Sequence, residues 1–211
     1  MPQGSVWEYI GPELKSELAR FAGDGYDNLL YVNHELSISD TVLVLGGYKG
    51  KSIKIWRNSY NCNVVAYEPI PAFFELLKHI FAGDQKVSLQ PFAVSDKEES
   101  ILFALAEEGT SAFLATEQNL TIAAKDIDAE LKRIYPFPVI IEMNIEGGEY
   151  AVLKRMLQTQ SIRKVQTLLI QFHNYGYEQE LERAQVRLAL SETHFCEFSY
   201  EWLWEKWTLK S

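Results

Sequence analysis

Short apolar runs that alternate with helical patterns are the feature that most constrains the fold of this chain. Five such runs are rich in β-branched residues, and they cover residues 41–45, 63–67, 87–92, 139–145 and 167–172. Runs of this length without polar alternation are typical of strands that are buried on both faces of a parallel sheet. The β-α-β-α-β order therefore predicts an α/β fold with a parallel sheet and right-handed crossovers.

Four segments next to these strands have apolar residues at helical spacing, and they cover residues 50–57, 70–81, 149–157 and 178–192. In the last of them, Leu181, Ala184 and Leu188 lie on one side of the predicted helix. The aromatic tail, residues 195–210, alternates and predicts an antiparallel β-hairpin with a turn near Trp204. We therefore predict one mostly parallel α/β domain over residues 39–211, which the C-terminal hairpin closes.

The remaining segments are less regular. Leu14, Leu18 and Phe21 recur at helical spacing and predict an N-terminal helical arm over residues 1–38. Within and beyond this arm the pattern predicts loops at 23–28 and 107–119, an added strand at 100–105, and partly helical structure at 120–134.

Composition limits the classes of function. The formal net charge of -9 argues against a nucleic-acid partner, because phosphate binding needs a basic surface. No apolar run approaches the roughly 18 residues of a membrane span, and the first residues lack a signal-peptide pattern. We therefore expect no membrane association and a cytoplasmic location. Cys62 and Cys196 are the only cysteines, so neither a disulfide framework nor a zinc site is expected.

A ligand of such a sheet binds beyond the carboxyl ends of the strands. The first strand is followed by a glycine-rich loop, Gly46-Gly47-Tyr48-Lys49-Gly50. Glycines permit a tight turn and a close approach to a ligand, and the next helix points free N–H groups at the same place. The spacing is not GxGxxG, and a plain strand-to-helix turn explains this loop equally well.

The next two strands are followed by further candidate residues. Glu68 and Pro69 follow the second strand, and an acid about 20 residues after a glycine-rich turn can accept hydrogen bonds from both hydroxyls of a ribose. The alternative for Glu68 is an exposed capping glutamate. Phe92 and Ala93 follow the third strand, where adenine is usually bound. Asp96 in the same segment is explained equally well as a turn cap.

Together these segments resemble the FkbM family of S-adenosylmethionine-dependent methyltransferases. The matching motifs are VLGGYKG (44–50), YEPIP (67–71), AVSD (93–96), EMNIEGGEY (142–150) and QFH (171–173). The resemblance implies a Rossmann-like class I methyltransferase fold and O-methylation of a hydroxyl on a small natural product or sugar. It also implies an S-adenosylmethionine site, in which Gly46 and Gly50 line the methionine end, Glu68 holds the ribose, Phe92 and Ala93 flank the adenine, and Gly47, Tyr48, Pro69 and Asn144 complete the contacts.

The chain departs from the family pattern at acidic positions. Val44, Asn144 and Gln171 stand where the pattern has acids. Loss of a carboxylate near the ammonium group of the cofactor removes a contact worth about 1.5–3 kcal/mol. These replacements support an alternative hypothesis, a degenerate relative that binds a ligand or partner without methyl transfer. A nicotinamide oxidoreductase is a third hypothesis, and the missing GxGxxG pattern argues against it.

Methyl transfer to an alcohol requires in-line placement of the hydroxyl, and a base if the alcohol is not already acidic. His173 ends the fifth strand and is a candidate base, although it could simply hydrogen-bond a loop. Glu146, next to Asn144 after the fourth strand, could orient the acceptor hydroxyl, whereas Glu149 could simply be a first-turn residue of the next helix. No metal is expected, because an Asn/Glu/His set is poor in charge for magnesium. A homo-oligomer formed through the aromatic tail is compatible with the sequence.

Overall fold

Two sheets and seven α-helices make up the part of the chain that the computed structural model describes, residues 12–106, 109–111 and 119–211. The strands are β1 (Thr41–Leu45), β2 (Asn63–Tyr67), β3 (Val87–Gln90), β4 (Ala93–Ser95), β5 (Glu99–Ala106), β6 (Gly109–Ser111), β7 (Asn119–Asp126), β8 (Ile140–Met143), β9 (Thr167–Gln171), β10 (His194–Ser199) and β11 (Trp204–Leu209). The helices are α1 (Pro12–Gly23), α2 (Tyr26–Tyr31), α3 (Lys51–Tyr60), α4 (Pro71–Ile80), α5 (Ile127–Leu131), α6 (Glu149–Gln158) and α7 (Tyr177–Leu190).

The larger sheet has seven strands in the order β10-β11-β9-β8-β1-β2-β3. The five strands from β9 to β3 are parallel, and β11 pairs antiparallel with both β9 and β10. This confirms the predicted, mostly parallel sheet with a C-terminal antiparallel hairpin. Strand order reverses between β1 and β8, so a crevice opens beyond their carboxyl ends, where ligands of such sheets bind.

Helices cover both faces of this sheet. Alternate residues of β1 face opposite sides, so that Leu43 packs with α5, α6 and α7 while Val42 packs with α1 to α4. Every residue of β1 is buried, which explains why its sequence is almost wholly apolar.

A second sheet, in the order β4-β7-β5-β6, corrects the prediction for the middle segment. Residues 120–134 were expected to be partly helical, and α5 agrees with this, but the first part of the segment forms most of β7, which was not predicted. Leu120, Ile122 and Ala124 alternate along β7 and pack in a small core with Ala93 and Ile101, and this packing favours a strand. Within the expected loop at 107–119, Gly109–Ser111 forms β6 and Asn119 begins β7, while residues 107–108 and 112–118 lie outside the described residues.

The described part of the N-terminal arm packs onto the domain. Phe21 and Tyr31 belong to the same core cluster as the tail residue Tyr200. The guanidinium group of Arg20 lies 4.1 Å from the ring centroid of Tyr200, whose hydroxyl donates to Asp24 at 2.7 Å. Helix α2 begins inside the segment 23–28 that was expected to be a loop.

Helix α7 directs its predicted apolar side outward. Leu181 and Leu188 share one side, as expected, but they are 47% and 72% exposed, whereas Val186 and Leu190 are buried. No helix in the described ranges has the length and apolar character needed to cross a bilayer.

Candidate functional site

A cavity of about 480 Å³ lies beyond the carboxyl ends of the central strands. Its walls come from the segments after β1, β2 and β8, from the start of α6, and from β4 and β5 of the smaller sheet. The predicted cofactor residues that line it are Gly46, Glu68, Pro69, Phe92, Ala93 and Asn144. Gly47, Tyr48 and Gly50 are not among its lining residues in the described part of the chain, so their direct contact with a cofactor stays a prediction.

Gly46, directly after β1, lies against the residues that follow β8. Its φ angle is 92°, in the left-handed region that L side chains rarely adopt. A Cβ atom at this position would lie 2.1 Å from the carbonyl oxygen of Asn144. Only glycine therefore fits, because any side chain would collide with the backbone that follows β8.

Gly47 and Gly50 serve the contact between the loop and helix α4. A Cβ at Gly47 would lie 2.7 Å from Leu77, and one at Gly50 would lie 2.9 Å from both Leu77 and Phe81. These glycines allow the loop to pack on α4, a role that the sequence motif alone does not distinguish from ligand contact.

The Glu68 carboxylate is buried and faces the cavity. Its two oxygens accept backbone hydrogen bonds from Tyr48 N–H at 2.7 Å and from Ile70 N–H at 2.9 Å. Burial raises the pKa of Glu68, and the two N–H donors oppose that rise. Each oxygen retains a second lone pair, so the carboxylate can still accept hydrogen bonds from a ligand. The side chain is 4% exposed, unlike the exposed cap that was the alternative interpretation.

Asn144 lines the same cavity and carries an unpartnered, buried acceptor. Its backbone N–H donates to Leu45 O at 3.0 Å, which fixes the chain just past β8. Its side-chain oxygen Oδ1 is buried, and no described residue donates a hydrogen bond to it. A buried acceptor left unpaired costs about 1–3 kcal/mol, so this atom is suited to receive an N–H or O–H donor of a ligand.

The candidate catalytic residues differ in whether they line the cavity. Glu146 lines the cavity, with the left-handed φ of 53°, and accepts a hydrogen bond from Tyr175 Oη at 3.2 Å. His173 is not among the cavity-lining residues within the described ranges. Its Nε2 lies 3.5 Å from the Glu146 carboxylate, and its Nδ1 lies 3.2 Å from the Glu149 carboxylate. The structure thus brings Asn144 and Glu146 to the cavity and places His173 behind Glu146.

Two carboxylates set the protonation of His173. Burial by itself lowers the pKa of this imidazole, but the hydrogen bond and charge of Glu149, with the charge of Glu146, outweigh burial and raise the pKa above its ordinary value. A larger fraction of His173 is therefore protonated at neutral pH than of a free histidine, which makes His173 less available as a base.

Glu149 is a site residue whose part the sequence prediction missed. It is fully buried, and it accepts hydrogen bonds from Gly147 N–H at 2.9 Å and from His173 N–H at 2.7 Å. It therefore joins the turn after β8 to the end of β9. The available signal was a second carboxylate three residues after Glu146. Helix-dipole stabilisation explains only part of why an acid stands there.

Glu142, two residues before Asn144, lies outside the lining of the cavity. Its buried carboxylate accepts hydrogen bonds from Trp56 Nε1 at 2.6 Å and Tyr31 Oη at 3.1 Å. Burial raises the pKa of Glu142 to about 6 against these donors. Within the described ranges, no group of three or more His, Cys, Asp or Glu residues is placed to hold a metal ion.

Comparisons with known proteins identify the family and the fold. The model of the methyltransferase FkbM domain matches residues 46–200. Among solved structures, the fibrillarin/Nop5p complex matches with a TM-score of 0.54 at 11% identity, over 94% of this chain and 82% of that chain. This likeness shows the fold, that of class I methyltransferases.

Two further structures are similar at lower scores. Aeropyrum pernix fibrillarin with natively bound S-adenosyl-L-methionine has a TM-score of 0.47 at 8% identity, over 88% of this chain and 73% of that chain. The 23S rRNA methyltransferase ErmE has a TM-score of 0.46 at 14% identity, over 93% and 68%. No curated protein sequence matches the chain.

Proposed function

This chain belongs to the FkbM methyltransferase family, and we propose that it uses S-adenosylmethionine to methylate a hydroxyl group of a small natural product or sugar. The observation that carries the proposal is the cavity beyond β1, β2 and β8, which combines a buried carboxylate at Glu68 with the unpartnered oxygen of Asn144. A ligand with hydroxyl donors at one end and an amino group at the other satisfies both acceptors.

The residues present fit the cofactor. Gly46 allows the ends of β1 and β8 to lie close together, Glu68 accepts from the ribose hydroxyls, and Asn144 Oδ1 accepts from the ammonium group of the methionine portion. When bound, S-adenosylmethionine supplies an electrophilic methyl group. An amide in place of the family's carboxylate retains the acceptor but lacks its charge, so we expect cofactor binding that is weaker than with an acid.

Glu146 is the group that we assign to the acceptor hydroxyl. It lines the cavity, while His173 and Tyr175 hold its carboxylate from behind. Glu146 accepts the hydrogen bond of the hydroxyl and thereby orients its oxygen, and it takes the proton as the oxygen is methylated. His173 assists by its charge and position. The net charge of -9 supports a small acceptor over a nucleic acid.

A second candidate function is ligand binding without methyl transfer. Its support is the loss of acids from the family pattern at three positions, of which Val44 is wholly buried in the apolar core and Asn144 lines the cavity. This candidate binds a ligand or partner and differs from the first in having no methyl transfer.

Calorimetric titration tests the cofactor assignment. We expect binding of S-adenosylmethionine and S-adenosylhomocysteine, and none of NAD. Asn144→Asp should tighten S-adenosylhomocysteine binding about tenfold, because a carboxylate holds the ammonium more strongly, and should leave adenosine binding unchanged. A folded protein that binds neither methionine-derived nucleoside would contradict the proposal.

A second measurement tests the ribose contact and turnover. Glu68→Gln should weaken S-adenosylhomocysteine binding by about tenfold to a hundredfold, whereas the exposed Glu75→Gln on α4 should not. Screening sugars and hydroxylated small molecules, with a folded RNA added for comparison, for release of S-adenosylhomocysteine then separates the two candidates. Methylation that Glu146→Gln abolishes, with cofactor binding retained, supports the enzyme; binding without turnover on any acceptor supports the second candidate.

A further inference from the structure

Helix α7 presents an apolar stripe to the outside of the molecule. Tyr177, Leu181 and Leu188 are 71%, 47% and 72% exposed, and Ala184 between them is also exposed. Their spacing of four, three and four residues is the spacing of the a and d positions of a heptad, which aligns them along one side of the helix. Single exposed apolar side chains are common, but a continuous stripe at this spacing indicates a contact surface.

The stripe belongs to a helix that is firmly attached to the domain. On the opposite side, Val186 and Leu190 are buried in the core. Arg183 and Arg187 both form ion pairs with the buried carboxylate of Glu205 on β11. The outward direction of the stripe is therefore fixed by packing on its other side.

The stripe is symmetric about its own midpoint. Read from either end, it has the same spacing, so a second α7 that runs in the opposite direction matches it position by position. Tyr177 then lies opposite Leu188 of the partner subunit, and Leu181 lies opposite Ala184 of the partner subunit. Such self-complementarity is what a two-fold interface between identical chains requires.

Charges beside the stripe favour the same arrangement. Glu180 and Arg187 lie seven residues apart on one flank of the stripe, Glu180 exposed and the Arg187 side chain 31% exposed. In an antiparallel pair this flank meets its own copy, which brings each Glu180 near Arg187 of the partner subunit. A parallel pair would not bring these opposite charges together.

We propose that α7 is a self-association surface through which two copies of this chain pair antiparallel. A single helix stripe is smaller than the roughly 800 Å² per partner of a standard interface, so the dimer is reversible and depends on protein concentration.

Sedimentation equilibrium of the full chain over a range of concentrations tests the proposal. The wild-type protein should show a monomer–dimer equilibrium. Leu188→Glu should weaken dimerisation at least a hundredfold, while Ile38→Glu, a similar apolar-to-acidic change at a residue that is 64% exposed elsewhere, should not weaken it. Circular dichroism of both variants checks that they are folded.

Glu180→Arg tests the orientation of the pair. In the antiparallel arrangement it faces Arg187 of the partner subunit, and it should weaken dimerisation about tenfold, with the effect reduced at high salt. An unchanged dimer in this variant would overturn the antiparallel pairing. A wild-type chain that stays monomeric up to about 1 mM, or a dimer that Leu188→Glu leaves intact, would overturn the proposal and assign the stripe to a different occupant.

Discussion

Gly46 shows how strongly a single residue can constrain the candidate site. Its left-handed φ is one constraint, and the 2.1 Å that would separate an added Cβ from the Asn144 carbonyl oxygen is a second, independent one. The first would be met by some other residues at a cost, but the second would force β1 and β8 apart.

Gly46→Ala should therefore lower the free energy of unfolding by about 4 kcal/mol or more in total. This loss exceeds the roughly 1–2 kcal/mol that the left-handed conformation of an alanine costs by itself. Gly83→Ala is the matched control, because Gly83 has a φ of 85° and no atom within 4 Å of its added Cβ. Urea unfolding of both variants measures the difference. Equal losses would show that backbone conformation alone requires the glycine.

Glu142 predicts a pH dependence of stability. Burial raises its pKa in the folded protein from 4.5 to about 6, so the folded state binds more protons than the unfolded chain between these values. Its contribution to stability is fully present below pH 4.5 and is lost as pH rises through about 6, a change of about 2 kcal/mol. Unfolding free energies at several pH values should show this loss in the wild-type protein relative to Glu142→Gln; parallel profiles would contradict it.

At the scale of elements, the strands were more predictable than the direction of the helices. The β1 run was identified at its true ends because burial on both faces demands apolar residues at every position. The spacing of Leu181 and Leu188 in α7 placed them on one side but did not state whether that side faces the core. Burial of Val186 and Leu190 on the other side, which decides this, depends on distant residues.

Leu190→Ala and Leu188→Ala compare the two sides of α7 with the same chemical change. Leu190 is fully buried, so its truncation should cost about 2–5 kcal/mol, while truncation of the exposed Leu188 should stay within about 0.5 kcal/mol. Thermal unfolding of dilute protein, below the concentration of self-association, measures both. A larger loss at Leu188 would mean that the stripe is covered within the monomer.

The same limit applies to the site. Motif order predicted that Gly46, Glu68 and Asn144 would lie near one another, because the carboxyl ends of neighbouring parallel strands meet. The motifs did not show that His173 lies behind Glu146, since this depends on the hydrogen bonds of Glu149 to two separate segments. The motifs also did not identify β7, whose alternating apolar residues pack in a small separate core.

At the scale of the whole molecule, helix α1 is held by the turn of the C-terminal hairpin. Arg20 donates to Ser199 O at 3.0 Å, Glu17 accepts from Glu201 N–H at 2.9 Å, and Tyr200 donates to Asp24. Helix α1 and the C-terminal hairpin, at the two ends of the described chain, are thus in contact with each other.

Tyr200→Phe should therefore destabilise helix α1. Loss of the hydroxyl bond to Asp24 should cost about 1 kcal/mol and raise hydrogen exchange in α1 about fivefold. Tyr135→Phe, at a tyrosine that is 95% exposed, is the matched control and should leave exchange in α1 unchanged. Mass-spectrometric hydrogen exchange resolves both; equal exchange in the two variants would show that the hydroxyl does not hold α1.

The contact between α1 and the hairpin turn has a consequence for protein synthesis. Phe21 is synthesised 179 residues before Tyr200, against which its ring packs at 4.8 Å. Strand β1 likewise waits for β8, its parallel neighbour, across almost a hundred residues. The apolar surface of α1 therefore stays without its final partner while the intervening residues are added, a period in which a chaperone bound to the nascent chain would protect it from aggregation.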